Sequence, residues 1–454
     1  MFMISWWVAL ITIVVATIVY RLIEVHAARG TWGAEGWWSL SLRIAQQNLW
    51  RLESVPQSAP GFWRPQVLAF LPRDRPSFHP HIAALVRQLK KTGGLSIVCQ
   101  CLVGDLDVAI ESGDVAKANQ DVHSMLDEVG VEAFVKVTVG KTKLDGMVAL
   151  LQGAGLGALK PNTVLIPFAR PMGRLFPMDP TDSADVSLCG SMDSYSSTPN
   201  STATGGPAMG ALPWDSASAT ELVKVIRSVG LLNKVLLLVK GIDEWPIAVE
   251  QHGTIDVYWL VHDGGILRLL PWLLQRHQVW SHCALRVFVF AHASDDPTTM
   301  RGKLEESLNQ MRIKAQTHVI EIGGQDVSEF AHVGAAVAHH MPESLSCEAT
   351  SELRRRNQVQ ALVPTCLAAL AIQSPALVRD QVMCKQTCEL LDTARQINAL
   401  IHEHSPNSEN GLIVCNLPTL LPHLTAMDYV QYLETLSENI PRMMFVKGNG
   451  LEIV

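Results

Sequence analysis

From Gln66 onwards the chain alternates short, apolar, β-branched runs with longer stretches whose apolar residues recur every three or four positions. No other feature narrows its fold as much. Runs of the first kind read as strands and stretches of the second kind as amphipathic helices. The pattern places strands over residues 66–71, 94–101, 133–139 and 163–166, with helices over 81–91, 115–129 and 143–152. A second block follows, with a helix over 221–228, strands over 234–239, 254–261, 285–291 and 317–322, and helices over 266–275 and 299–311. Helices over 389–402 and 427–438 and strands over 411–415 and 442–446 close the chain. Strands that are apolar on both sides and separated by helices imply a mostly parallel sheet covered on both faces. The expected fold class is therefore α/β, and periodicity leaves open whether the two blocks share one sheet.

Between the blocks the composition changes. Residues 171–220 contain SMDSYSSTPNSTATGGPAMG and read as a flexible Ser/Thr/Gly/Pro-rich loop. Residues 323–383 carry Glu352 and three successive arginines, Arg354, Arg355 and Arg356, among ambiguous apolar runs, and read as a poorly ordered insert.

The start of the chain is a different object. Residues 1–20, MFMISWWVALITIVVATIVY, hold no charge, and about twenty helical residues cross a ~30 Å hydrocarbon core. Trp6, Trp7 and Tyr20 sit where interfacial aromatics sit, and Arg21, His26 and Arg29 follow, which puts the next segment on the cytoplasmic side. A cleaved signal peptide needs a basic start, a shorter apolar core and a small-residue cleavage site. The expectation is a single transmembrane helix. Residues 21–62 then form a linker, with an amphipathic helix over 37–54 in which Leu42, Ala45, Leu49 and Leu52 share a face, bracketed by Gly30, Gly33, Gly36 and Pro56.

Composition agrees with lipid contact: charged residues are 17%, and mean hydropathy is +0.17. A net charge of -7 argues against nucleic acid as a partner. The nine cysteines are scattered and form no C-x-x-C pair, which fits reduced thiols and no structural zinc.

No phosphate-cradling G-x-x-x-x-G-K-[ST], no G-x-S-x-G and no H-E-x-x-H is present. Gly153, Gly155 and Gly157 follow a helix, whereas a dinucleotide fingerprint follows a strand. His262, Asp263, Gly264 and Gly265 lie between a strand and a helix, where Asp263 reads first as a helix cap and second as a base or ligand. Thr393 and Gln396 fit a capping box and mark an expected helix start.

Several segments carry a resemblance when taken in order. They are GTIDVYWLVHDGGILRLLPWLLQRHQVW (253–280), WRPQVLAFL (63–71), GLSIV (94–98), GLGALKPNTV (155–164), LRVFVFA (285–291) and DYVQYLETLSENIPRMMFVKGNG (428–450). Together they resemble the cation–chloride cotransporter family, most closely its potassium–chloride branch, with residues 171–214 and 323–383 as poorly matching gaps.

The resemblance implies the last membrane helix of an electroneutral potassium:chloride symporter, residues 1–20, followed by the linker and a cytoplasmic regulatory domain. That domain would be two Rossmann-like α/β halves, 63–170 and 221–454. The ion-binding helices would lie upstream, so the chain is expected to be a fragment that does not transport alone. Its role would be regulatory, in ion homeostasis and cell volume, and not enzymatic. No cofactor is required. ATP is the regulatory ligand implied, at positions matching Phe70, Leu71, Cys101, Pro167 and Phe168. Where the family carries lysines, this chain has Pro72 and a shortened loop, leaving Arg73 as the positive charge. The implied partners are the membrane, the transport helices, a second copy through the cytosolic domain, and a kinase acting at Thr393, which precedes Ala394 and Asn398 but follows Asp392. The rival reading is a free-standing, membrane-anchored α/β protein that senses or turns over a nucleotide, with Asp263 as its candidate residue.

Overall fold

Valine, isoleucine and leucine dominate the strands, and among the described residues all ten strands join one sheet. The computed structural model describes residues 6–26, 32–53, 64–90, 93–170, 214–260, 265–291, 296–321, 376–406, 411–420 and 424–449. It divides into two units, Met1–Pro56 and Gln57–Val454. In the second unit the strands are β1 (Val67–Leu71), β2 (Ser96–Val103), β3 (Phe134–Gly140), β4 (Thr163–Pro167), β5 (Val235–Lys240), β6 (Thr254–Trp259), β7 (Ala284–Ala291), β8 (Gln316–Glu321), β9 (Leu412–Asn416) and β10 (Met443–Lys447). The helices between them are α3 (His79–Lys90), α4 (Leu106–Glu111), α5 (Asp114–Val129), α6 (Lys143–Gly153), α7 (Ser216–Leu231), α8 (Ile266–Gln275), α9 (Pro297–Gln310), α10 (Ala376–His404) and α11 (Ala426–Leu436).

The strand order is β3-β2-β1-β4-β5-β10-β9-β6-β7-β8. Every neighbouring pair is parallel except β5 and β10, which run antiparallel. Read outward from that seam, each half has the same order: fifth, fourth, first, second, third strand. The helices obey the same rule. Side chains of α3, α5, α8 and α9 build the core on one face of the sheet, and those of α6, α7, α10 and α11 the core on the other. The two halves are thus related by a pseudo-two-fold axis at the β5/β10 seam, and the question left open by periodicity is answered by a continuous sheet. The topology also groups α7 and β5 with the first half, whereas the sequence reading began the second half at residue 221.

Local chemistry sets the element ends. Thr142 Oγ1 accepts from Asp145 N at 3.1 Å to start α6, Asp215 caps α7, and Thr425 with Asp428 forms a reciprocal capping box on α11. Asp296 caps α9 and accepts from Thr298 and Thr299, which lowers its carboxyl to a pKa of about 2. Gly130 ends α5 with φ of 70°.

Several expectations change. α7 begins at Ser216, inside the stretch assigned as loop up to residue 220; the remainder of that loop to residue 213 lies outside the described residues. α10 begins at Ala376, inside the expected insert, whose residues 323–375 also lie outside the described residues. Thr393 consequently sits within a long helix instead of at its start, and the anticipated cap at Thr393 and Gln396 has no helix end to serve.

In the first unit, α1 is Trp6–His26 and α2 is Trp32–Glu53. α2 runs through Gly33 and Gly36, which had read as breakers preceding the helix. The single transmembrane helix expected over residues 1–20 is not supported in that form: among the described residues no helix is long and apolar enough to cross a membrane. From Trp6 to Tyr20, before Arg21, α1 offers about 22 Å of charge-free length at 1.5 Å per residue, short of the ~30 Å core. Its apolar side chains are nonetheless exposed on all sides, among them Trp7, Ile11, Val15 and Tyr20.

Candidate functional site

In a sheet of this kind the crevice lies where strand order reverses, at the carboxyl ends of the two strands that flank the reversal. In the first half these are β1 and β4, paired from Val67 with Thr163 to Ala69 with Leu165. The residues anticipated for a nucleotide gather there, because they follow or end these strands and β2. Phe70 and Leu71 close β1, Arg73 follows Pro72 in the loop, Pro167 ends β4 and Phe168 follows it. Cys101 lies on β2, next in the sheet.

Their environments differ. Phe70 and Leu71 point to opposite faces of the sheet, at 5% and 4% exposure, each into a different core. Phe168 is buried too; its backbone N–H donates to Val239 O at 2.7 Å, and its ring stacks on Trp214 at 5.6 Å and meets Phe445 edge-on at 6.4 Å. Cys101 is half-buried, and burial raises its thiol to a pKa of about 11 against the opposing pull of Lys143, which favours the neutral thiol. Arg73 is exposed.

The loops add groups that the sequence reading did not name. Arg170, three residues beyond β4, pairs its Nε with Glu434 Oε1 at 2.7 Å, and Trp214 Nε1 donates to the same oxygen at 3.0 Å. Arg75 donates to the Arg170 carbonyl oxygen and lies over the Phe78 ring at 5.0 Å. His79 Nε2 bonds Pro72 O at 2.8 Å and fixes the loop after β1 to the start of α3. Arg75 and Arg170 are therefore neighbours beside these strand ends, Arg170 is matched by Glu434, and Phe70, Leu71 and Phe168 are packed into the core. Arginine side chains at such a strand end can pair with an anion. Arg170 lies close to the end of β4 in sequence; Glu434, which is 264 residues away, carried no sequence signal.

Thr393 lies apart, half-buried on α10. Next to it Ala394 is fully buried, Asp392 pairs with Arg395 at 2.5 Å, and Asn398 Nδ2 donates to Leu436 O and Glu438 O, each at 3.0 Å, tying α10 to the end of α11. Of the HDGG segment, His262, Asp263 and Gly264 lie outside the described residues, and Gly265 is the residue before α8.

Among the described residues of the second half, Asp256 of the 253–280 run and Arg442 are buried charged residues. Asp256, 1% exposed, accepts from Arg286 Nε at 2.7 Å and Nη2 at 2.5 Å, from Thr254 Oγ1 at 3.1 Å and from Ser405 Oγ at 2.6 Å. Tyr258 OH shares a hydrogen bond with Ser405 Oγ at 2.7 Å, and burial pushes the Tyr258 phenol up. Its ring stacks on Phe288 at 4.8 Å, which stacks on His318 at 4.9 Å. This network fastens the residue after α10 to β6 and β7. The signal for it was a lone acid inside an apolar strand, TIDVYW.

The family described as solute carrier family 12 matches residues 79–171 and 248–454, segments in both halves of the sheet. Among solved structures, the chain is similar to one described as the cytoplasmic domain of a prokaryotic cation chloride cotransporter, with 10% identity, 86% of this chain and 97% of that chain covered, and a TM-score of 0.38. It is also similar to a universal stress protein from Archaeoglobus fulgidus, with 10% identity, 61% and 83% covered, and a TM-score of 0.32. Both TM-scores fall below 0.5, and the family match carries the weight.

Proposed function

This chain belongs to solute carrier family 12, and from that membership we propose that it is the regulatory cytosolic part of a potassium–chloride cotransporter. The observation that carries the reading is the family match over both halves of one continuous sheet. The potassium–chloride assignment rests on the resemblance of the 253–280 run. In this reading α1 sits in lipid as part of the transporter's last membrane helix, with the α/β unit on the cytoplasmic side. The apolar side chains exposed around α1 support lipid contact. The α/β unit acts through contacts rather than catalysis, biasing the alternating-access equilibrium of transport helices that this chain does not contain.

Two regulatory inputs follow. ATP binds at the carboxyl ends of β1 and β4, its phosphates at Arg73 and Arg75; the support is the resemblance at these positions and the proximity of Arg75 to Arg170. Phosphorylation at Thr393 acts by placing a dianion beside Asp392 on a helix face packed against α11, which disfavours the docked helix. The site is mid-helix, so attraction to a helix N-terminus plays no part.

Chloride-dependent rubidium uptake tests the reading. The chain expressed alone should give no uptake above vector. Fused behind the transport helices of a potassium–chloride cotransporter in place of that protein's own C-terminal part, it should support uptake, with Thr393→Glu lowering and Thr393→Ala raising the rate. A chimera that reaches the surface and is indifferent to both substitutions would overturn regulation through this helix.

A further inference from the structure

The end of the sheet at which β1, β4 and β5 begin is basic, although the chain as a whole carries a net charge of -7. The chain reaches β1 there through Arg64, an exposed residue whose carbonyl oxygen accepts from Asn162 Nδ2 at 2.8 Å. Lys234 precedes β5 and donates from Nζ to Pro161 O, next to the exposed Lys160. Burial lowers the Lys234 pKa, and the nearby Lys160 charge lowers it further. Because β10 runs antiparallel to β5, its end returns to the same place. Lys447 pairs with Leu236, a Cβ at Gly230 would lie 3.7 Å from Lys447 Nζ, and Asn449 Nδ2 donates to Asn233 O at 2.9 Å. α7 also ends here, and its Lys224, Arg227 and Leu231, three and four residues apart, share one exposed stripe.

Acids are missing from these segments: residues 146–178, 222–242 and 439–451 hold no Asp or Glu. Among the described residues, Arg64, Lys160, Lys224, Arg227 and Lys234 make no salt bridge. Two leucines project among the cations. Leu231 is 81% exposed at the end of α7, and Leu156 is 68% exposed in the turn that leads to Lys160. Cations interspersed with projecting apolar side chains match a surface that is anionic outside and apolar beneath, which is the layering of a bilayer with acidic headgroups. α1, with apolar side chains exposed on all sides, brings the same chain to lipid, so a weak second contact acts at high effective concentration.

We propose that this end of the sheet docks on an anionic bilayer surface, its lysines and arginines at the headgroups and Leu156 and Leu231 inserted between them. The inference rests on the reading that α1 sits in lipid, and it deepens that reading by naming the surface through which the α/β unit meets the membrane. The opposite end of the sheet, where β5 finishes and β6 begins, stays in water; Val249, 71% exposed in the connection between those strands, marks it.

The test uses the full chain in liposomes, with the photoreactive p-benzoylphenylalanine placed at one position at a time and adducts read by mass spectrometry. In place of Leu231 it should attach to lipid in phosphatidylcholine vesicles containing about one-third phosphatidylserine, and far less in phosphatidylcholine alone. In place of Val249 it should attach to lipid in neither. Lys160→Gln combined with Arg227→Gln should weaken docking roughly thirtyfold, and salt at about 1 M should act in the same direction. The same probe in place of Ile11 reports on α1 independently. Absence of a lipid adduct at Leu231 in the anionic vesicles would overturn the docking surface whatever Ile11 shows, and an adduct at Ile11 alone leaves the placement of α1 in lipid standing. Equal yields at Leu231 with and without phosphatidylserine, or an adduct there to a second protein chain in place of lipid, would overturn it too. None of these readouts involves ion flux, so their failure and the failure of the uptake experiment remain distinguishable.

Discussion

Asp256 shows what one residue does for this fold. Its two oxygens receive bonds from Arg286, Thr254 and Ser405, so its charge is buried with compensation. Asp256→Ala strands the Arg286 guanidinium, whose side chain is 22% exposed, and should cost about 2–4 kcal/mol after allowance for that exposure. Asp256→Leu combined with Arg286→Met should recover much of the loss in chemical denaturation, because no charge is then left behind. Ser405→Ala should be milder, near 1 kcal/mol, and should loosen the end of α10 first in hydrogen exchange. His79 adds a pH dependence. Burial lowers its pKa, against the pull of the Pro72 carbonyl and Asp74. The unfolded chain then binds more protons than the folded one below about pH 6.5, so stability is present above that value and falls as pH drops through it. His79→Gln should flatten the thermal-stability profile between about pH 7.5 and 5.5.

At the scale of elements, caps and turns carry separable costs. Thr425→Ala removes the acceptor for Asp428 N and should cost ~1 kcal/mol, seen as faster amide exchange in the first turn of α11. Gly241 links β5 to the turn that follows at φ of 70°, and a Cβ there would overlap the Pro441 carbonyl. Gly241→Ala should therefore lower the melting temperature far more than Gly153→Ala, which meets open space at the end of α6. The same scale explains which elements were legible. Each strand formed within two residues of its expected place, because apolar β-branched runs bounded by turns have few alternatives. The helix containing Thr393 was misjudged because a capping-box pattern is a local signal, and a helix that finds burial against α11 continues through it.

For the whole molecule, the seam between β5 and β10 makes two topologically complete halves into one sheet. Phe445 in β10 is fully buried and pairs with Leu238 of β5 and Cys415 of β9. Phe445→Ala should cost about 3–5 kcal/mol. It should lower exchange protection in β5 and β9 together, since the damage lies on the strand they share; loss confined to β9 would show that the halves unfold separately. The candidate crevice has the same dependence on the whole. Phe70, Cys101 and Phe168 were named from the family resemblance, whereas the Glu434 carboxylate that holds Arg170 and Trp214 comes from the last helix and carried no such signal.

By itself the sequence determined the α/β class, the strands and most helices, and the apolar character of the first helix, because periodicity and local propensity act within a few residues. The tertiary structure decided that β5 meets β10 antiparallel, that both halves share one sheet, that Thr393 lies mid-helix, and that Asp256 meets Ser405 across 149 residues. Those outcomes depend on burying two sheet faces at once. The free energy of that burial belongs to contacts between distant segments, and no window of the chain contains both partners.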